Sequence, residues 1–243
     1  MAQALADLAE VIPNVHVMIT EDDEPVDNLP SEKQQRLLTE PLYSSWSGPG
    51  AERTFLAAAN VGVFYLARRP AVVPDMFLSL DVEVPEDWWE KEHRSYFLWE
   101  FGKPPDLAIE IVSNKVGEEN GEKRKKYARI GVLYYVVYDP LCQIMPEALT
   151  IYHLRDFEYE KQTTTQLSAL KLGVTLWEGK YEGKQAEWLR WTDENDELIL
   201  TGRERAEQER ERAERAEIQL VHERGEIARL KAMLQSLGKD PDV

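Results

Sequence analysis

Two carboxylates stand in runs of aliphatic residues, where a carboxylate is costly. Glu110 lies in LAIEIV, 107–112, and Asp75 in VVPDMFLSL, 72–80. An acid in a central strand needs a pairing group or a metal to offset its desolvation. Beyond Glu110 come a short polar loop and a basic, amphipathic segment, 121–130, which carries Lys123, Arg124, Lys125 and Lys126. Two acids on two strands, with lysines on the following helix, are the ingredients of a metal-dependent hydrolytic site.

Periodicity and turn residues predict the elements that must position these groups. Residues 107–112 and 133–138 read as buried strands around a helix at 121–130, and TIYHL continues as an alternating strand at 149–154. Upstream, Ser31 followed by Gln34 has the pattern of a capping box and predicts a helix start. Leu37, Leu38 and Leu42 supply that helix with an apolar side, and Pro41 is expected to end or kink it. Residues 62–68 and 71–80 read as strands joined by a tight turn. Pro74 points to an edge position or a bulge in the second. Residues 81–103 read as a loop or hairpin rich in aromatic residues, and 167–191 as strands and turns. A short strand, VHVMI, is expected at 15–19.

Composition bounds the function. The 243 residues include 43% hydrophobic side chains, enough for a real core. No apolar run reaches the roughly 18 residues of a membrane span. The N-terminus lacks a basic stretch ahead of an apolar one, so no secretory signal is expected. A lone cysteine, Cys142, excludes an internal disulfide and a cysteine zinc cluster, and fits a reducing compartment such as the bacterial cytoplasm. The net charge of −16 counts against strong non-specific binding of nucleic acid. A local basic patch on an acidic protein still permits nuclease chemistry.

The C-terminal segment reads as a separate helix. Ala206, Ala213, Leu220, Ile227 and Leu234 recur every seven residues. Ala216, Leu230 and Leu237 occupy the second seam position, which Glu209 and Glu223 interrupt. Pairing as a homodimer and packing on another surface both fit this pattern. The expected organisation is a lead-in at 1–30, an α/β domain at 31–200 and a charged, coiled-coil-like helix at 201–243.

The series PPDLAIEIVS and GEKRKKYARIGVLYYVVYDP resembles the bacterial Uma-two family of restriction-endonuclease-like proteins, a branch of the PD-(D/E)XK nuclease superfamily. VVPDMF, RSYFLWEFGKPPD, LWEGKYEG and WLRW extend the resemblance over roughly residues 31–240. It implies a mixed sheet flanked by helices, and a metal-dependent endonuclease acting on DNA. It also implies that Asp75 and Glu110 bind the metal, with the main-chain carbonyl of Ile111 completing the protein's share. The superfamily's usual lysine position, two residues after the acid, is Val112 here. Lys123 on the following helix best replaces it, with Lys126 and Lys115 as alternatives, and Tyr127 shares its helical face. The implied ion is magnesium, with manganese as a substitute.

Other readings stay open. Glu32 matches the family's first-helix acid, although a first-turn acid is ordinary in any helix. Ser113 and Asn114 are more naturally turn residues. Trp88, Trp89 and Trp99 fit core packing or a dimer contact better than stacking on bases. The histidines have no ligand spacing. A non-cleaving dimeric binding protein of the same fold, and a hydrolase of another phosphodiester, are the rival functions.

Overall fold

The computed structural model describes residues 28–50, 53–113 and 121–236; the expected strand at 15–19 and the residues Asn114 and Lys115 lie outside these. The elements run α1 (Leu29–Ser44), β1 (Phe55–Ala58), β2 (Val63–Phe64), β3 (Met76–Leu80), β4 (Tyr96–Phe97), α2 (Leu98–Phe101) and β5 (Leu107–Ile111). They continue with α3 (Glu122–Ile130), β6 (Tyr134–Tyr138), β7 (Leu149–Arg155), β8 (Glu158–Gln162) and β9 (Gln166–Leu167). The long hairpin strands β10 (Leu172–Tyr181) and β11 (Lys184–Thr192) and the helix α4 (Gly202–Ser236) complete the order. A mixed six-stranded sheet has the order β1-β3-β5-β6-β7-β8. Within this sheet the described β5 and β6 pair in parallel and the other neighbours antiparallel, and α3 lies in the crossover between β5 and β6.

Strand alternation divides the core into two layers. Leu107, Ile109 and Ile111 of β5, with Tyr134, Val136 and Tyr138 of β6, point to one face and pack with Leu38 and Leu42 of α1 and with Leu189 and Trp191 of β11. Ala108, Tyr135 and Val137 point to the other face, with Val112, and pack with Tyr127 and Ile130 of α3. Glu110 shares the parity of Ala108, so its carboxylate is on the α3 side. Tyrosines brace that layer. Tyr135 lies 5.2 Å from Tyr127 and 6.0 Å from Tyr152, ring centre to ring centre, and Arg124 of α3 stands 5.0 Å over the Tyr152 ring.

Several local expectations change. Asn28, not Ser31, caps α1: its Oδ1 accepts the Ser31 N–H at 3.0 Å. Pro41 lies inside α1 and does not end it. A proline this near the C-terminus removes one hydrogen bond, and the burial of Leu38, Pro41 and Leu42 holds the last turn. The region 62–68 supplies only Val63 and Phe64 to a strand, which pairs in parallel with Tyr96 and Phe97. The sheet's first strand is β1, whose FLAA sequence carries little strand signal. Pro74 precedes β3, which is an interior strand between β1 and β5. The bulge or edge expected there is unnecessary, because the proline never enters the ladder.

Gln34 has a role that its spacing from Ser31 concealed. Its Nε2 donates to the Leu189 carbonyl at 2.8 Å, and its Oε1 accepts the Leu189 N–H at 3.0 Å. Trp191 Nε1 donates to the Leu38 carbonyl at 2.7 Å. These bonds tie the β10–β11 hairpin to α1. The hairpin turns at Glu182 and Gly183, both with positive φ, of 42° and 82°, as a two-residue primed turn requires. Replacing Gln34 with leucine strands two buried backbone groups of Leu189. We expect a loss of about 3 kcal/mol in denaturant unfolding, since each orphaned group costs about 1–3 kcal/mol. A loss under about 0.5 kcal/mol would remove this account of the hairpin.

The described residues up to Ile199 form one compact unit, and those from Leu200 form another. The second is the helix α4. Its start has a capping box: Thr201 Oγ1 accepts the Glu204 N–H at 3.2 Å, and Glu204 Oε2 accepts the Thr201 N–H at 2.8 Å. Among the described residues, no helix is long and apolar enough to cross a membrane.

Candidate active site

Glu110 is completely buried, and both of its oxygens are engaged by α3. Lys123 Nζ donates to Oε2 at 2.7 Å, and Tyr127 OH donates to Oε1 at 2.7 Å. The i, i+4 spacing of Lys123 and Tyr127 puts both on the helix face that covers the sheet. Lys123 keeps 29% of its side chain exposed, so the ammonium sits between the buried acid and solvent. Val112 is on the Glu110 face, two residues along, and is buried. Lys123 of α3 brings a lysine ammonium to the same carboxylate.

Asp75 stands one residue before β3, where Met76 pairs with Ile109. This antiparallel register brings it level with the end of β5. Its Oδ2 accepts the Ile111 N–H at 2.6 Å, and its Oδ1 accepts from Gln35 Nε2 at 3.1 Å. The bond to Ile111 places Asp75 beside the residue that follows Glu110. Gln35 of α1 is buried and exchanges hydrogen bonds with the Asn60 side chain, at 3.1 and 3.3 Å. Asn60 is exposed in the turn after β1 and has a positive φ of 54°, a conformation that asparagine tolerates better than most residues.

The electrostatics follow from burial. Desolvation pushes the Glu110 carboxyl up to about 8, against the opposing pull of Lys123, and the negative charge of Asp75 pushes the same way. That influence and the Ile111 bond put the two acids within electrostatic reach of each other. Burial first, and then the neighbouring Glu110, hold the Tyr127 phenol well above its ordinary value. Tyr127 therefore keeps its proton and acts as a donor.

Other candidates fall elsewhere. Glu32 pairs with Arg36, which also bonds Glu182 of the hairpin turn at 2.8 Å, on an exposed surface. The α1 side chain that bonds Asp75 is Gln35 instead. Its signal in the sequence was weak, since an uncharged amide in SEKQQRLL carries no metal-ligand chemistry of its own. Ser113 is exposed just after β5. Trp88 and Trp89 are 56% and 73% exposed, so neither packs in the core, and their loop leaves β3 at the end opposite Asp75. Trp99 packs on Phe97, with ring centres 5.2 Å apart. Among the described residues, no cluster of three or more acidic, histidine or cysteine side chains could hold a metal.

No curated protein matches the chain. The family model Uma2, described as "Putative restriction endonuclease", matches residues 23–178. The match includes α1, the six strands of the main sheet, the two acids, and the α3 residues that close over Glu110. This chain belongs to the Uma2 family.

Proposed function

We propose that this protein hydrolyses DNA phosphodiesters with a divalent metal, magnesium or manganese, at Asp75 and Glu110. The observation that carries the reading is the buried Glu110 joined to Lys123 and coupled to Asp75 across the Ile111 N–H. The donor set fits such an ion. Two carboxylates and the Ile111 carbonyl offer only oxygen, which suits a hard cation that retains several waters. A cation beside Glu110 would also compensate a buried negative charge that costs free energy on its own.

Each side chain then has a task. When bound, the metal lowers the pKa of a water and neutralises charge on the phosphate. Lys123, on the solvent side of Glu110, orients the attacking water or meets the developing phosphate charge. Tyr127 holds the second Glu110 oxygen and fixes the carboxylate plane. Gln35, itself held by Asn60, does the same for Asp75. Helix α3 carries five basic residues in its nine, which gives the acidic chain a local positive face for a phosphate backbone. DNA is the substrate that the family description favours. We also propose that the chain acts as a homodimer through α4.

The rival reading, a non-cleaving binding protein of this fold, draws support from the net charge of −16. Incubation with duplex DNA, RNA and a small phosphodiester, with magnesium and with chelator, separates the readings. We expect cleavage of DNA that stops on chelation. Cleavage of only the small ester would reassign the substrate, and no cleavage of any of them would favour the rival.

A further inference from the structure

Helix α4 takes no part in the proposed chemistry. Every described side chain from 205 to 233 is exposed, including Leu220 at 53%, Ile227 at 55% and Leu230 at 59%. A helix gains most of its stability by burying one face, so this seam calls for an occupant. We propose that the occupant is a second copy of α4 and that the two helices pair in parallel. The inference rests on the homodimer reading above and specifies its geometry.

Orientation follows from the charges that flank the seam. One flank of the apolar half carries Arg224 and Lys231, and the other carries Gln219 and Glu226. In a parallel pair each flank faces the opposite flank of its partner. Glu226 then meets Lys231 of the second copy, and Arg212 meets Glu217. In an antiparallel pair like flanks meet, and where the apolar half pairs with itself this sets Arg224 against Lys231. The parallel arrangement has three like-charged matches: Arg205 with Arg210, and the seam residues Glu209 and Glu223, each with its own copy.

The seam glutamates fit the same arrangement. Glu209 and Glu223 interrupt the apolar stripe, and each is followed at once by an arginine, Arg210 and Arg224. In parallel coiled coils the hole that receives a side chain at this seam position is lined by the residue that follows it on the facing helix. Glu223 thereby meets Arg224 of the second copy. Within its own helix, Glu223 Oε1 already accepts from Gln219 Nε2 at 2.9 Å. Each seam glutamate also stands beside its own copy, and the arginine that follows it on the facing helix offsets that repulsion in this register only.

Cross-linking of the full chain tests the orientation. Cys142 is an exposed free thiol, so the variants carry Cys142→Ser. Ala206→Cys places one thiol at the start of the seam. On mild oxidation we expect a disulfide-linked dimer, because parallel pairing sets the two copies of this position side by side. Antiparallel pairing separates them by tens of ångströms along helices that rise about 1.5 Å per residue. A sedimenting dimer that fails to cross-link at 206 would overturn the parallel geometry and leave the homodimer standing. A monomer at every concentration would overturn both. Charge reversal gives an independent reading. Glu226→Lys and Lys231→Glu should each weaken dimerisation by about tenfold, as symmetric pairs turn repulsive, and the double reversal should restore it. Failure of the double variant to recover would sink the parallel register. None of these outcomes depends on nuclease activity.

Discussion

Replacing Glu110 with glutamine is expected to reduce metal-dependent cleavage by about three orders of magnitude or more, since several kcal/mol of charge stabilisation depend on the metal it helps to hold. The same change should make the metal-free protein more stable than the natural chain in mild alkali. Burial raises the Glu110 carboxyl from an ordinary 4.5 to about 8. An acid raised in the folded state binds its proton more tightly there than in the unfolded chain. Its contribution to stability is complete below about 4.5 and is lost as pH rises through about 8. Natural protein without metal should therefore melt at falling temperature as pH climbs through that window. Glutamine has nearly the same shape and no charge to bury, so its melting curve should lack this component. Lys123 loses its ion partner in the variant but is 29% exposed and can turn to water. Thermal melts at several pH values, with and without magnesium, provide the check. A variant that cuts at the natural rate, or one whose stability follows the natural pH curve, would contradict the assignment of Glu110.

Lys123→Ala carries the second large effect. Removing the ammonium 2.7 Å from Glu110 should lower turnover by about two orders of magnitude or more. The folded chain should survive, because the lysine is partly exposed and packs no core. Lys126→Ala is the control on the same helix and should retain most of the activity. Steady-state cleavage by both variants, with circular dichroism to verify folding, decides the matter. A silent Lys123→Ala beside a dead Lys126→Ala would mean that α3 engages substrate in a different register. Tyr127→Phe should have a smaller effect than Lys123→Ala, since it removes an orienting bond and no charge.

The acids and the helix that closes over Glu110 were legible because their signals are local. A charged residue inside LAIEIV is conspicuous, and the spacing of Lys123 and Tyr127 fixes a shared face before any tertiary contact forms. The parallel β5–α3–β6 unit follows from two apolar runs on either side of a short amphipathic helix. Long-range pairings were not legible. Gln34 bonds a backbone 155 residues away, and Gln35 reaches Asp75 across 40 residues. Neither residue type announces that partner. Strand β1 is not legible because FLAA has neither alternation nor β-branched residues, and it is held in place by pairing with β3. Asn28 and Ser31 are both residue types that cap helices, and only the backbone distinguishes which of them does so.

Metal occupancy at the two acids is the most direct measure of the central claim. Titrating the intact protein with manganese, read by the paramagnetic signal of the unbound ion, gives the number of sites and their affinity. The natural chain should bind manganese at a site that magnesium competes for, and Asp75→Asn and Glu110→Gln should each weaken that site by tenfold or more. Binding that neither substitution changes would place the metal elsewhere and contradict a hydrolytic centre at Asp75 and Glu110.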